Sequence, residues 1–160
     1  CRNPYFYKAE IRNKVENELC NETEFALIHG DCTFSNTMVD KSLNIIFLDP
    51  RGYFGFKELY GDEKYDWAKA YYSIDGDYDQ FNNKSFKLDI KQEEVELKIE
   101  TNGWKEVAEY YLEKLPDVEP AKIKFLHALI WLSLTTYAWE DFDSICGAFY
   151  QGTYLLEEIL

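Results

Sequence analysis

The sequence predicts an α+β fold that is mainly helical, and three observations carry that expectation. Short apolar runs end in turn-forming clusters, as strands do, while longer stretches repeat apolar residues at helical spacing. A chain of 160 residues with 46% hydrophobic and 18% aromatic content can also pack one sizeable core as a single domain.

Residues 4 to about 20 read as a helix with Ile11, Val15 and Leu19 on one face. Asn21-Glu22-Thr23-Glu24 breaks the pattern, and the apolar run Phe25-Ala26-Leu27-Ile28 then delivers His29-Gly30-Asp31 as a buried strand would. Asn36-Thr37-Met38-Val39 and Leu43-Asn44-Ile45-Ile46-Phe47-Leu48 flank the turn-like Asp40-Lys41-Ser42, which predicts an antiparallel hairpin. Its midpoint falls between Ser42 and Leu43, so without a bulge Asn36 and Asp49 face each other with Cα atoms roughly 5 Å apart. Pro50 biases Asp49 toward extended backbone, and Gly52, Gly55 and Gly61 mark a loop. Asp62 or a neighbour caps a helix to about Ile74, which Asp75-Gly76-Asp77 ends. From Phe86 to Glu100 the period changes to two around Gln92-Glu93-Glu94, a second small hairpin that is either a structural edge or a substrate lid. Three further helices follow, from Asn102-Gly103 to Leu115, from Ala121 to about Glu140 and from Asp143 to Leu160.

The formal charge of −13 argues against a nucleic-acid partner. It is compatible with a cationic acceptor or with a merely solvated acidic surface. Cysteines at 1, 20, 32 and 146 lack metal-ligand spacing and suggest free thiols in a reducing cytoplasm. No signal-peptide pattern and no charge-free apolar run of about 20 residues is present, so no membrane span is expected. His127, alone on an apolar helix, reads as a core residue rather than a catalyst.

Oxygen donors from Asn36 and Asp49 at one hairpin end suit a hard cation such as Mg²⁺, which commonly takes one or two protein ligands. Asp31 has no such spacing and is left to face an incoming hydroxyl. Together these residues suggest part of a phosphoryl-transfer site.

Three ordered motifs sharpen that expectation: His29-Gly30-Asp31-Cys32-Thr33-Phe34-Ser35-Asn36, then Asp49-Pro50-Arg51-Gly52, then Asp66-Trp67-Ala68-Lys69. They resemble the signature of the aminoglycoside phosphotransferase and choline kinase superfamily, small-molecule relatives of the protein kinases. The spacing of Asp31 to Asn36 is that of the protein-kinase catalytic loop, and Asp49 stands where the Asp of Asp-Phe-Gly would stand. The resemblance implies the C-terminal lobe of a protein-kinase-like fold, with the first hairpin catalytic. It also implies that Asp31 accepts the proton of the acceptor hydroxyl and that Asn36 and Asp49 hold Mg²⁺ against the phosphates of ATP or another nucleoside triphosphate. His29 and Asp66 would support the loop, and Arg51 would either contact phosphate or pair with a structural carboxylate. Trp131, Tyr137, Trp139, Glu140 and Asp141 lie where this superfamily often builds its acceptor pocket.

The wording of Asp49-Pro50-Arg51-Gly52 and of Leu59 to Asp66 is similar to kinase-like proteins found with capsule or surface-polysaccharide genes. The motifs do not identify that subgroup's acceptor, and an aminoglycoside, choline, an amino alcohol or a sugar-like molecule all stay open. No Gly-rich loop and no phosphate-contacting strand lysine is recognisable, so the nucleotide-binding lobe is expected to lie N-terminal to this chain. A kinase-shaped binding or scaffolding module without chemistry is the alternative.

Overall fold

The computed structural model describes residues 2–21, 24–53, 59–116, 119–137 and 141–160. Its architecture is α+β and mainly helical, with three separate two-stranded sheets around a helical body.

The body is built on α5 (Pro120–Leu134), which packs between α2 (Glu63–Ile74) and α6 (Phe142–Ile159). Pro120 starts α5 at a position whose N–H is not needed. Ile123, Phe125, Ala128, Ile130 and Trp131 then bury nearly all of their surface. Gly152 sets the closeness of α5 and α6, because a Cβ there would lie 2.7 Å from Leu132 Cγ. α1 (Lys8–Glu18) follows a 3₁₀ turn over Pro4–Tyr7, and its Ile11 and Val15, with Leu19 beyond it, close over Phe125, Ala128 and Leu156.

One boundary and one element differ from the sequence expectation. α5 stops at Leu134 instead of continuing to about Glu140. There Ser133, Thr135 and Thr136 turn their hydroxyls back onto the carbonyls of Ile130, Leu132 and Ser133, and the chain leaves the helix in a turn. A short helix not read from the sequence, α3 (Tyr78–Asn82), follows Asp77, whose φ is +49°. The last segments are α4 (Ala108–Lys114), after a 3₁₀ turn at Trp104–Val107, and α6.

The first sheet pairs β1 (Ala26–Leu27) with β4 (Tyr60–Gly61). The second joins β2 (Thr37–Val39) to β3 (Ile45–Phe47), and the third joins β5 (Phe86–Ile90) to β6 (Val95–Ile99). The apolar runs that deliver the site residues were expected to be buried strands, but Phe25, Leu27, Ile45, Ile46, Phe47 and Leu48 are 40–69% exposed. The β5–β6 hairpin packs on the other helices: Phe86 stacks on Phe81 at 4.3 Å, and Leu97 lies beside Gly147 of α6.

His127 is fully buried, and its Nε2 accepts a hydrogen bond from Trp131 Nε1 at 2.9 Å. Burial pushes its imidazole down to about 3, so the folded chain holds it neutral. The unfolded chain takes up its proton near pH 6.5, and the folded chain does not do so until about pH 3. Stability present above pH 6.5 is therefore lost as the pH falls between these values, by about 1.4 kcal/mol per pH unit from this group. Urea unfolding of wild type and His127→Gln at pH 7 and pH 5 checks this, because the substitution should flatten the acid limb.

Candidate active site

The His29–Asn36 loop is suspended from one face of α2. Asp66, Lys69 and Ser73 lie at three- and four-residue spacing, so they share that face. The Asp66 carboxylate accepts from the N–H groups of His29 and Gly30, both at 2.7 Å. Ser73 Oγ accepts from Phe34 N at 3.0 Å, and Asp79 Oδ1 accepts from Ser35 N at 2.7 Å. Gly30 is required here for two reasons: its φ is +80°, and a Cβ would lie 2.9 Å from Arg51 Cβ. His29 Nδ1 accepts from Asp31 N at 3.3 Å, and its ring lies 5.6 Å from that of Phe47.

Asp31 is held from both sides. Asn36 Nδ2 donates to its Oδ2 at 3.0 Å and to its carbonyl at 3.1 Å, while Lys69 Nζ lies 2.7 Å from Oδ1. Lys69 is only 8% exposed, and its amine also sits over the rings of Tyr72 and Tyr78. The motif containing Lys69 was quoted from the sequence, but the residue was given no role. Its signal was a lysine three residues beyond Asp66, set in a stretch from Ala68 to Ile74 whose other residues are small or apolar.

The hairpin register corrects the expected facing pair. Thr37 pairs with Phe47, Met38 with Ile46 and Val39 with Ile45, so Asn36 meets Leu48, whose N–H donates to Asn36 O at 2.8 Å. The shift of one residue comes from the turn. Asp40 Oδ1 accepts from Ser42 N and Asn44 N, and Leu43 takes φ +64°, leaving an odd three-residue loop. Asp49 then sits one step beyond Asn36's neighbour with φ +55°, left-handed rather than extended as Pro50 had suggested.

Asp31 and Asp49 nevertheless line one open cleft of about 360 Å³, with Arg51, Lys69, Ser133 and Tyr137 among its other walls. Asn36 reaches this cleft through Asp31, not as a wall residue. Among the described residues no hydrogen bond or ion pair engages Asn36 Oδ1 or the Asp49 carboxylate, and amide and carboxylate oxygens are the ligand type that a magnesium ion takes. No group of three or more His, Cys, Asp or Glu among the described residues could cage a metal. Comparison with known protein families, curated proteins and solved structures finds no match.

Arg51 settles into the cleft wall without a carboxylate partner among the described residues. Its terminal nitrogens donate to the hydroxyls of Tyr65 at 3.3 Å and Tyr137 at 2.5 Å. Trp131 lines no part of the cleft and is wholly buried in the core. Asp141 instead pairs with Lys84 and Ser144, and Trp139 and Glu140 lie outside the described residues. No residue of the β5–β6 hairpin lines the cleft, which removes the basis for reading that hairpin as its lid.

Burial, with the Asp66 charge next, pushes the Cys32 thiol up to about 12. It is a packed thiol rather than a nucleophile. Burial likewise raises Tyr78 to about 12 and Tyr72 well above its ordinary value, so both phenols keep their protons. No helix among the described residues is long and apolar enough to cross a membrane.

Proposed function

We propose that this chain is the catalytic lobe of an ATP- and Mg²⁺-dependent phosphotransferase acting on a hydroxyl of a small molecule. The observation that carries the reading is a carboxylate, Asp31, clamped by Asn36 and Lys69 in the same cleft as the carboxylate of Asp49, which has no ion-pair partner among the described residues. The fold assignment, the nucleotide and a partner lobe that binds it rest on the ordered sequence motifs.

In this reading the acceptor hydroxyl hydrogen-bonds to Asp31, which takes its proton as the oxygen attacks the γ-phosphorus and the bond to ADP breaks. Asn36 and Lys69 fix the carboxylate's direction, so the acceptor is met without reorganisation of the loop. Asn36 Oδ1 and Asp49 would hold the magnesium ion, which when bound offsets phosphate charge. Asp66 supports the loop and touches neither reactant.

Incubating the native polypeptide that carries this chain with radiolabelled MgATP and a panel of hydroxyl-bearing metabolites tests the proposal. Transfer of label to any acceptor supports it. No detectable nucleotide affinity overturns it and favours a kinase-shaped binding module.

A further inference from the structure

We infer that the acceptor carries an anionic oxygen group, a phosphate or a carboxylate, which Arg51 and Tyr137 bind on the wall beside Asp31. The inference rests on the proposed roles of Asp31 and Asp49 and adds the chemical class of the acceptor.

The net charge of −13 would favour a cation, but charges beyond about 10 Å are largely screened, and the cleft has its own balance. Asp31 is already neutralised by Lys69 at 2.7 Å. Asp49 is the carboxylate left for the metal. Arg51 is then a guanidinium without a counterion among the described residues.

The aromatic faces point the same way. A cationic acceptor is held by open aromatic rings, and here the Tyr72, Tyr78 and Tyr137 rings of the cleft already face the protein's own cations. Lys69 Nζ lies 5.1 Å from the Tyr72 ring centre and 5.5 Å from that of Tyr78. The Arg51 guanidinium lies 5.6 Å from the Tyr137 ring and 5.5 Å from that of Tyr53.

The wall is also rich in donors. A guanidinium has five N–H groups in a planar fork that matches carboxylate and phosphate oxygens. Arg51 spends hydrogen bonds on two tyrosine hydroxyls, and the Tyr137 hydroxyl, as acceptor, keeps its own proton to give. Tyr72, 1% exposed, lines the same cleft, and its buried hydroxyl has no partner among the described residues. Ser133 also lines the cleft, but its hydroxyl proton is given to Ile130 O at 2.8 Å. Arg51 and Tyr137, two donors on one cleft wall, suit an oxygen-rich anion.

The test is titration of the chain with inorganic phosphate, sodium glucuronate and choline chloride at constant ionic strength. Arginine side-chain resonances and heat are followed in wild type, Arg51→Gln and Tyr137→Phe. Saturable binding of phosphate or glucuronate is expected, weakened at least tenfold in Arg51→Gln, with no response to choline. The arm that saturates identifies phosphate or carboxylate as the group. Saturation by choline, equal anion affinity in wild type and Arg51→Gln, or failure of both anions overturns the inference. If Arg51→Gln loses its helical signal, Tyr137→Phe decides, with weaker anion binding supporting the inference and unchanged binding overturning it.

Repeating the titration on the native polypeptide with MgADP separates acceptor from nucleotide. Undisturbed anion binding supports the acceptor assignment, and displacement overturns it by giving Arg51 to the nucleotide. Anion binding without any nucleotide affinity would sink the kinase reading while leaving the anion site in place.

Discussion

Asp31→Asn in the native polypeptide is expected to lower phosphoryl transfer by roughly a hundred- to ten-thousand-fold while the helical fold persists. An amide cannot take the hydroxyl proton, but its oxygen can still accept from Lys69, whose amine lies 2.7 Å from Asp31 Oδ1 in the parent chain. Asn36 Nδ2 keeps its second acceptor, the carbonyl of residue 31, at 3.1 Å. The loop therefore survives the change that removes the base. Acceptor affinity should move far less than turnover. Unaltered turnover in this variant would remove Asp31 from the chemistry.

Asp66→Ala is expected to cost stability rather than chemistry alone, by about 2–4 kcal/mol, because the N–H groups of His29 and Gly30 lose their acceptor together. Gly30 is buried, so water does not freely replace the carboxylate. Cys32 supplies a local readout: it is 7% exposed, and its thiol resists ionisation, whereas Cys20 is open to solvent. Alkylation of Cys32 should be slow in the folded wild type and fast in Asp66→Ala, with Cys20 labelled quickly in both. Asp66→Asn should fall between them, since its amide oxygen can serve one N–H while its NH₂ faces the other. Equal urea midpoints for wild type and Asp66→Ala would show that the loop stands without this support.

Helices and hairpins were legible where one local rule governed them. Asp62 caps α2 through Lys64 N, and the period-two alternation of Phe86 to Ile99 forms the strand pair it implies. The hairpin at Asp40 was misread by one residue because its register depends on the left-handed Leu43, a conformation no apolar residue announces. α5 was read too long because hydrophobicity continues past Leu134, while the hydroxyls of Thr135 and Thr136 end it through bonds invisible to periodicity.

The site was partly visible for a similar reason. Asp31, Asn36 and Asp49 stand in ordered motifs, so the resemblance of those motifs to a family signature could nominate them. Lys69, Ser73 and Asp79 act across the fold, with 38, 39 and 44 residues between partners in the case of Lys69–Asp31, Ser73–Phe34 and Asp79–Ser35. Only the docking of α2 and α3 against the loop brings them in. Trp131 shows the converse: an aromatic at a suggestive position was claimed by the core.

The most direct measurement is the effect of Mn²⁺ with ADP on the resonances of the native polypeptide. Paramagnetic broadening should centre on Asn36 and Asp49, reach Asp31 more weakly, and disappear in Asp49→Asn. Broadening centred elsewhere, or unchanged by Asp49→Asn, would contradict the claim that these three residues share one site for a metal-bound nucleotide.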